Sequence, residues 1–305
     1  MSELLANENI DRLAWDRVVE SSPHPYPYCF SWYLDAFLPG WSGFVEPGYG
    51  MVLPLPVRKK YGVRYAANIP FVRWFSLSAT VGVSSGEISH FYRSCLDSLP
   101  SNIALVDLVF TQPPAASGFR VTEMRRQELD LSAGYGALRD GYSSDCRRNI
   151  RLASRERADI VYEDDPSEAI ELFKKEKGSS LCAVKGDHYR LLEAFMRNMI
   201  DAGRGRLSTV RGSDGNLIYG LFTLHTGGRI TLLFTATSSE SRSRRTGYLL
   251  IDSLIREMSG TGMVLDFAGS SIPGVAKYNR AFGAYERPLY RVYRNTLPAV
   301  IRWMK

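Results

Sequence analysis

The chain has 305 residues, 45% hydrophobic and 23% charged, which is enough apolar content for one large core or two ordinary ones and excludes overall disorder. A formal net charge of +6 favours anionic partners: a nucleotide cofactor, an RNA or membrane headgroups. The N-terminal MSELLANENIDRLAWDRVV lacks the apolar run of a signal peptide or membrane span, so a cytoplasmic protein is expected. Cys29, Cys95, Cys146 and Cys182 form no CxxC and have no histidines at ligand spacing, so neither a disulfide framework nor a metal is expected.

In chain order, a helix is predicted around Ile10 to Ser21, followed by an aromatic, proline-rich passage whose prolines exclude a long helix. Strands are predicted at Met51 to Arg58 and Arg64 to Asn68, an amphipathic helix at Glu87 to Leu99, and a buried strand at Ile103 to Phe110. A junction between two similar domains is expected near Glu123 to Gly136, giving domains 1–130 and 131–305.

Beyond Leu131 helices are predicted at Tyr142 to Glu156, Ser167 to Lys177 and Asp187 to Ala202, with a short strand at Asp159 to Glu163. Strands at Arg206 to Arg211, Leu217 to His225 and Ile230 to Thr237 are separated by turns that suit antiparallel hairpins. A polar loop, Ser238 to Gly247, leads into a helix with Ile251, Leu254, Ile255 and Met258 on one face. A strand at Met263 to Ala268, a helix ending at Phe282-Gly283 and a strand at Leu289 to Arg294 close the chain. A meander that passes through a crossover helix into a further strand implies an α/β fold with a mixed sheet and helices on its faces.

Arg242, Arg244 and Arg245 with Gly247 and Tyr248 stand where a strand feeds the start of a helix, a natural anion site; the alternative is a solvated loop. Arg148, Arg151 and Arg155 form one ridge of their helix, a solvated face unless the domain binds a polyanion. Asp266, in an apolar strand that meets a glycine turn, is either a proton acceptor or a structural carboxylate accepting backbone N–H bonds. Tyr278 is equally core or chemistry, and His225 reads as an exposed turn residue. G-x-S-x-G, Walker and H-E-x-x-H motifs are absent.

The Arg244-x-x-Gly247 spacing between strand and helix resembles the fingerprint of the GNAT acyltransferase superfamily, with Leu249 where that fingerprint ends in Gly or Ala. Leu265-Asp-Phe-Ala-Gly-Ser270 with Gly274 to Ala284, and Tyr142 to Ala153, resemble the strand, turn and Phe-Gly helix and the basic opening helix of Fem-type (FemAB-like) peptidyltransferases. Phe30-Ser-Trp-Tyr33 and Leu53 to Lys59 resemble their N-terminal domain, and this first half has no Arg-x-x-Gly loop. The resemblance implies two tandem GNAT-like domains, the first shaping the acceptor cleft.

It further implies an N-acyltransferase that moves an acyl group from acyl-CoA (acetyl-CoA), or an aminoacyl group from aminoacyl-tRNA, to an amine on a small molecule, peptide or cell-envelope precursor. The donor would meet Arg242, Arg244, Arg245, Gly247, Tyr248, Phe234 and Thr235. Asp266, Tyr278 and Lys277 would serve catalysis, and strand-edge N–H groups near Phe234 to Thr237 would hold the oxyanion. The alternative is a binding protein that keeps the fold without the chemistry, to which Leu249 and Asn279 point.

Overall fold

The computed structural model describes residues 2–114, 117–156, 158–178, 184, 186–269 and 272–297; Cys182 and Ser270 lie outside them. The chain divides into two compact units, Met1–Met124 with Pro288–Lys305, and Arg125–Arg287.

The first unit opens with β1 (Glu3–Ala6) and α1 (Arg12–Ser21), whose first turn is capped by the Asp11 carboxylate accepting from Ala14 N–H at 3.0 Å. Trp15, Val18 and Val19 of α1 are buried. The aromatic passage runs into α2 (Ser31–Phe37) and is core, not surface: Trp15 Nε1 donates to the Cys29 carbonyl at 2.8 Å, and the Tyr28 and Trp74 rings meet edge-on at 5.0 Å. β2 (Ser42–Val45) and β3 (Met51–Leu55) follow.

The single strand predicted over Met51 to Arg58 is broken. β3 belongs to one sheet, while β4 (Val57–Lys60) pairs with β5 (Val63–Ala67) in another. Pro56 stands between them and has no N–H to continue a ladder. β6 (Ser78–Ala79) completes the first sheet, order β1-β2-β3-β6. α3 (Ser85–Asp97), started by a reciprocal Ser84–Glu87 capping box, crosses to β7 (Ile103–Phe110), which lies parallel to β5.

The second unit takes up β8 (Arg120–Asp130), whose start lies in the first, and continues through α4 (Tyr135–Asp140) and α5 (Ser144–Ser154). β9 (Val161–Glu163), α6 (Ser167–Lys177), α7 (Gly186–Asp201), β10 (Gly205–Arg211), β11 (Leu217–Thr226) and β12 (Arg229–Thr237) follow. The expected loop 238–247 is instead α8 (Ser239–Arg244), capped by the Ser238 hydroxyl accepting from Ser241 N–H, followed directly by α9 (Thr246–Met258). β13 (Val264–Asp266), α10 (Pro273–Arg280) and β14 (Tyr285–Asn295) end the chain; residues Tyr290 to Asn295 of β14 pair with β7 in the first unit.

Strands of the second unit are ordered β8-β13-β12-β11-β10-β9, antiparallel except for the β12–β13 pair. This is the mixed sheet expected, with α9 as the crossover between its parallel strands. Leu250, Ile251, Leu254 and Ile255 of α9 join Ile150 of α5 and Leu221, Ile230 and Leu265 of the sheet in one apolar core. α6 packs on β12 across the other face, where the Phe173 and Phe234 rings meet at 4.9 Å. Among the described residues no helix is long and apolar enough to cross a membrane.

Candidate active site

Two strands that begin as parallel neighbours part company. Only Arg229, Ile230 and Thr231 of the nine-residue β12 pair with Val264, Leu265 and Asp266 of β13. Past Asp266 the chain turns away through Ala268 and Gly269, both in the left-handed region (φ 56 and 60). From Leu232 onward β12 therefore keeps its ladder with β11, through a bulge at Leu233, but has no partner in β13, and its backbone groups on that side have no strand partner.

Four buried charges hold the strands at the point of divergence. Arg126 and Glu128 come from β8, Arg229 from β12 and Asp266 from β13, all 4% exposed or less. Glu128 pairs with both arginines and, at 3.5 Å, with Arg287; the second carboxylate oxygen of Asp266 lies 3.3 Å from Arg229 and 3.7 Å from Arg126. Burial pushes the Glu128 carboxyl up, but the arginine charges and hydrogen bonds outweigh it and hold it below its ordinary value. For the more distant Asp266 burial prevails, and its carboxyl lies above its ordinary value.

The other oxygen of Asp266 accepts from Ala268 N–H at 2.8 Å. Asp266 is thus fully enclosed and tied to the turn. The neighbouring Gln127 accepts from Asn279 Nδ2 at 3.1 Å, so Asn279 is a buried link between β8 and α10.

Opposite the open edge stands the first turn of α9. Arg245, left-handed at φ 61, closes α8 and opens α9 without a side-chain cap. Helix geometry leaves the Thr246 and Gly247 N–H groups without intrahelical acceptors. Gly247 is favoured by what lies beneath it: a Cβ there would stand 3.0 Å from the Tyr278 hydroxyl and 3.1 Å from that of Tyr219, a tight approach. The Tyr219 hydroxyl is hydrogen-bonded to Thr235 of β12. The Tyr278 hydroxyl is shielded from solvent and has no partner among the described residues.

Burial raises the Tyr278 phenol well above its ordinary value, so it stays protonated and keeps a proton to donate. Its ring meets Tyr248 edge-on at 4.7 Å and Phe282 at 5.3 Å. The fold brings Gly247, Tyr248, Thr235 and Tyr278 into one cluster. Sequence patterning does not reveal Tyr219, whose position in an apolar strand reads as core.

The remaining residues are placed less centrally. Phe234 points to the α6 face, away from Thr235. Lys277 is exposed, and Leu249 is half-buried outside the apolar core of α9. The arginines are engaged: Arg242 with Glu176 at 2.9 Å, Arg244 with Glu240 at 3.1 Å, and Arg245 Nε donating to Asn149 Oδ1 at 2.9 Å. His225 is not an exposed turn residue. It lies half-buried within β11, and burial, then the charge of Arg206, lowers its pKa against the pull of Glu257.

A crossover from a splayed strand pair through a helix that opens on a glycine defines an acyltransferase-type α/β fold. Residues 142–280 match the Acetyltransferase (GNAT) domain family. Among solved structures FemX is similar at a TM-score of 0.65 and 12% identity, over 94% of this chain and 96% of that one. The C-terminal domain from Agrobacterium fabrum assigned to a lysylphosphatidylglycerol synthetase is similar at a TM-score of 0.57 and 12% identity, over 98% and 95%. L-PGS from Bacillus licheniformis is similar at 0.50 and 12%, over 85% of each chain. A search of curated proteins gives no match.

Proposed function

We propose that the second unit transfers an acyl or aminoacyl group from an activated donor, acyl-CoA or aminoacyl-tRNA, to an amine acceptor. The convergence at Gly247 of the open edge of β12, the uncapped first turn of α9 and the unpartnered Tyr278 hydroxyl supports it. Unpaired N–H groups at a helix start favour a phosphate, and unpaired strand N–H groups favour a developing oxyanion.

The acceptor nitrogen attacks the donor carbonyl directly. The C–N bond forms, the carbonyl oxygen takes up negative charge facing the N–H groups of β12, and the bond to sulfur or to the ribose oxygen breaks. The Tyr278 hydroxyl donates a hydrogen bond to the departing atom, and the amine proton leaves to water. Asp266 holds the turn that carries α10, and hence Tyr278, in place. FemX and L-PGS lend weight to an acceptor in the cell envelope, and the small-molecule acceptor is the other class to test.

Calorimetric titration with acetyl-CoA, and transfer of a labelled aminoacyl group from aminoacyl-tRNA to a panel of amines, test this reading. One donor class should engage the parent protein. Gly247→Val, which drives a branched side chain onto the Tyr219 and Tyr278 hydroxyls, should abolish that engagement. Absence of both binding and transfer in the parent would favour the second reading, a GNAT-fold protein without donor chemistry. The pairing of Arg242 with Glu176 and of Arg244 with Glu240 speaks for that alternative.

A further inference from the structure

Between Glu46 and Glu87 the chain carries five cations and no carboxylate. Four of them, Arg58, Lys59, Lys60 and Arg64, lie on the β4–β5 hairpin of the first unit. Lys59 stands directly opposite Arg64, an arrangement that weakens a hairpin unless an anion compensates it. Among the described residues none of the four pairs with a carboxylate; Arg58 instead lies 4.9 Å over the Tyr65 ring and donates to the Ala67 carbonyl.

The two-residue turn between the strands, Tyr61-Gly62, is left-handed at both positions (φ 49 and 81), and Tyr61 is 81% exposed at its tip. Lysines on an outer strand can serve only to block edge pairing. That role explains neither the arginine facing a lysine nor an exposed tyrosine in a backbone conformation that disfavours it.

We propose that this hairpin is a docking surface for an anionic membrane leaflet, entered tip first. Side chains alternate along each strand, so Lys59 and Arg64 project on one face and Lys60, with the half-buried Arg58, on the other, and each face carries at least one exposed lysine. Headgroups can therefore surround it on both sides while the amphipathic Tyr61 ring settles at their level. An RNA groove suits the tip less well, because the Lys60 ammonium lies 5.3 Å over the Tyr61 ring and occupies a face on which a base would stack. The hairpin belongs to the first unit and the transfer site to the second, so the two readings stand or fall separately.

Cosedimentation of the full chain with vesicles tests it, using phosphatidylcholine alone against an equal mixture with phosphatidylglycerol. Binding is expected only to the mixture and should weaken as salt rises. Each basic residue near an anionic surface is worth about fivefold in partitioning. Lys59→Ala/Lys60→Ala should thus bind about 25-fold more weakly, Lys59→Arg/Lys60→Arg should retain binding, and Gly247→Val should bind as the parent does. Equal binding to both vesicle types, or no loss in the alanine pair, would overturn the proposal. Loss of affinity for bulk tRNA in the alanine pair with vesicle binding intact would overturn it in favour of an RNA surface.

Discussion

Tyr278→Phe removes a single oxygen from the interior and should make the protein more stable and less active. The Tyr278 hydroxyl has no hydrogen-bond partner among the described residues and is shielded from water, so the folded state carries its desolvation uncompensated. An unsatisfied buried hydroxyl of this kind costs about 1–3 kcal/mol. The phenyl ring that remains keeps its edge contacts with Tyr248 and Phe282 and leaves no cavity larger than the missing oxygen. For a domain of this size each kcal/mol moves the melting temperature by about 2–4 °C. A rise of about 2–12 °C is therefore expected, read by thermal and urea unfolding of parent and variant side by side. The transfer rate should fall with little change in KM, because the hydroxyl acts on the departing atom and not on the bound donor. A lower melting temperature would refute the reasoning, since it would mean that the hydroxyl is satisfied in the folded protein.

Glu128→Gln should destabilise by about 3–5 kcal/mol, because it leaves two buried arginines facing one distant carboxylate, and by more than Asp266→Asn, which leaves Glu128 in contact with both; urea titration ranks the two. Since the Glu128 carboxyl is held low, its contribution is present above its unfolded value of about 4.3 and is lost as pH falls through the lower folded value, so Glu128→Gln should flatten the acid limb of the stability profile. His225 has a depressed pKa and is neutral in the fold, so stability should decline as pH drops below about 6.5, and His225→Gln should reduce that decline in urea unfolding at pH about 7.5 and about 5.5. Replacing Arg242, Arg244 and Arg245 together by alanine should change stability by about 1 kcal/mol or less per exposed pair, while weakening donor affinity and flattening its salt dependence in calorimetry.

Strand and helix periodicity made much of the second unit legible. Ile251, Leu254, Ile255 and the hairpin turns after β10 and β11 announce one buried stripe and one meander, because burying a helical or pleated face imposes a repeat that survives in the sequence. β8 was illegible for the opposite reason. Arg126, Gln127 and Glu128 fall within the expected domain junction, yet all three are buried, and the partners that make this tolerable come from β12, β13 and α10, roughly 100 residues or more away in sequence. The segment 238–247 was missed as a helix because its serines and arginines favour a loop locally, while the Ser238 cap supplies the start of a helix that its charged exterior hides.

The sequence by itself determined the class of the fold and the segment that opens α9, since Gly247, the arginines before it and the apolar stripe after it are consecutive in the chain. The tertiary structure alone decided what Gly247 is for. Tyr219 and Tyr278, from a strand upstream and a helix downstream, bring two hydroxyls to within 3.1 Å of where a Cβ would stand. The same holds for Asp266, whose role depends on Arg126, Arg229 and the Ala268 N–H meeting it in space. Local periodicity records which face of an element is buried, but a buried polar group is specified by partners distant in the chain, and only the assembled sheet states who they are.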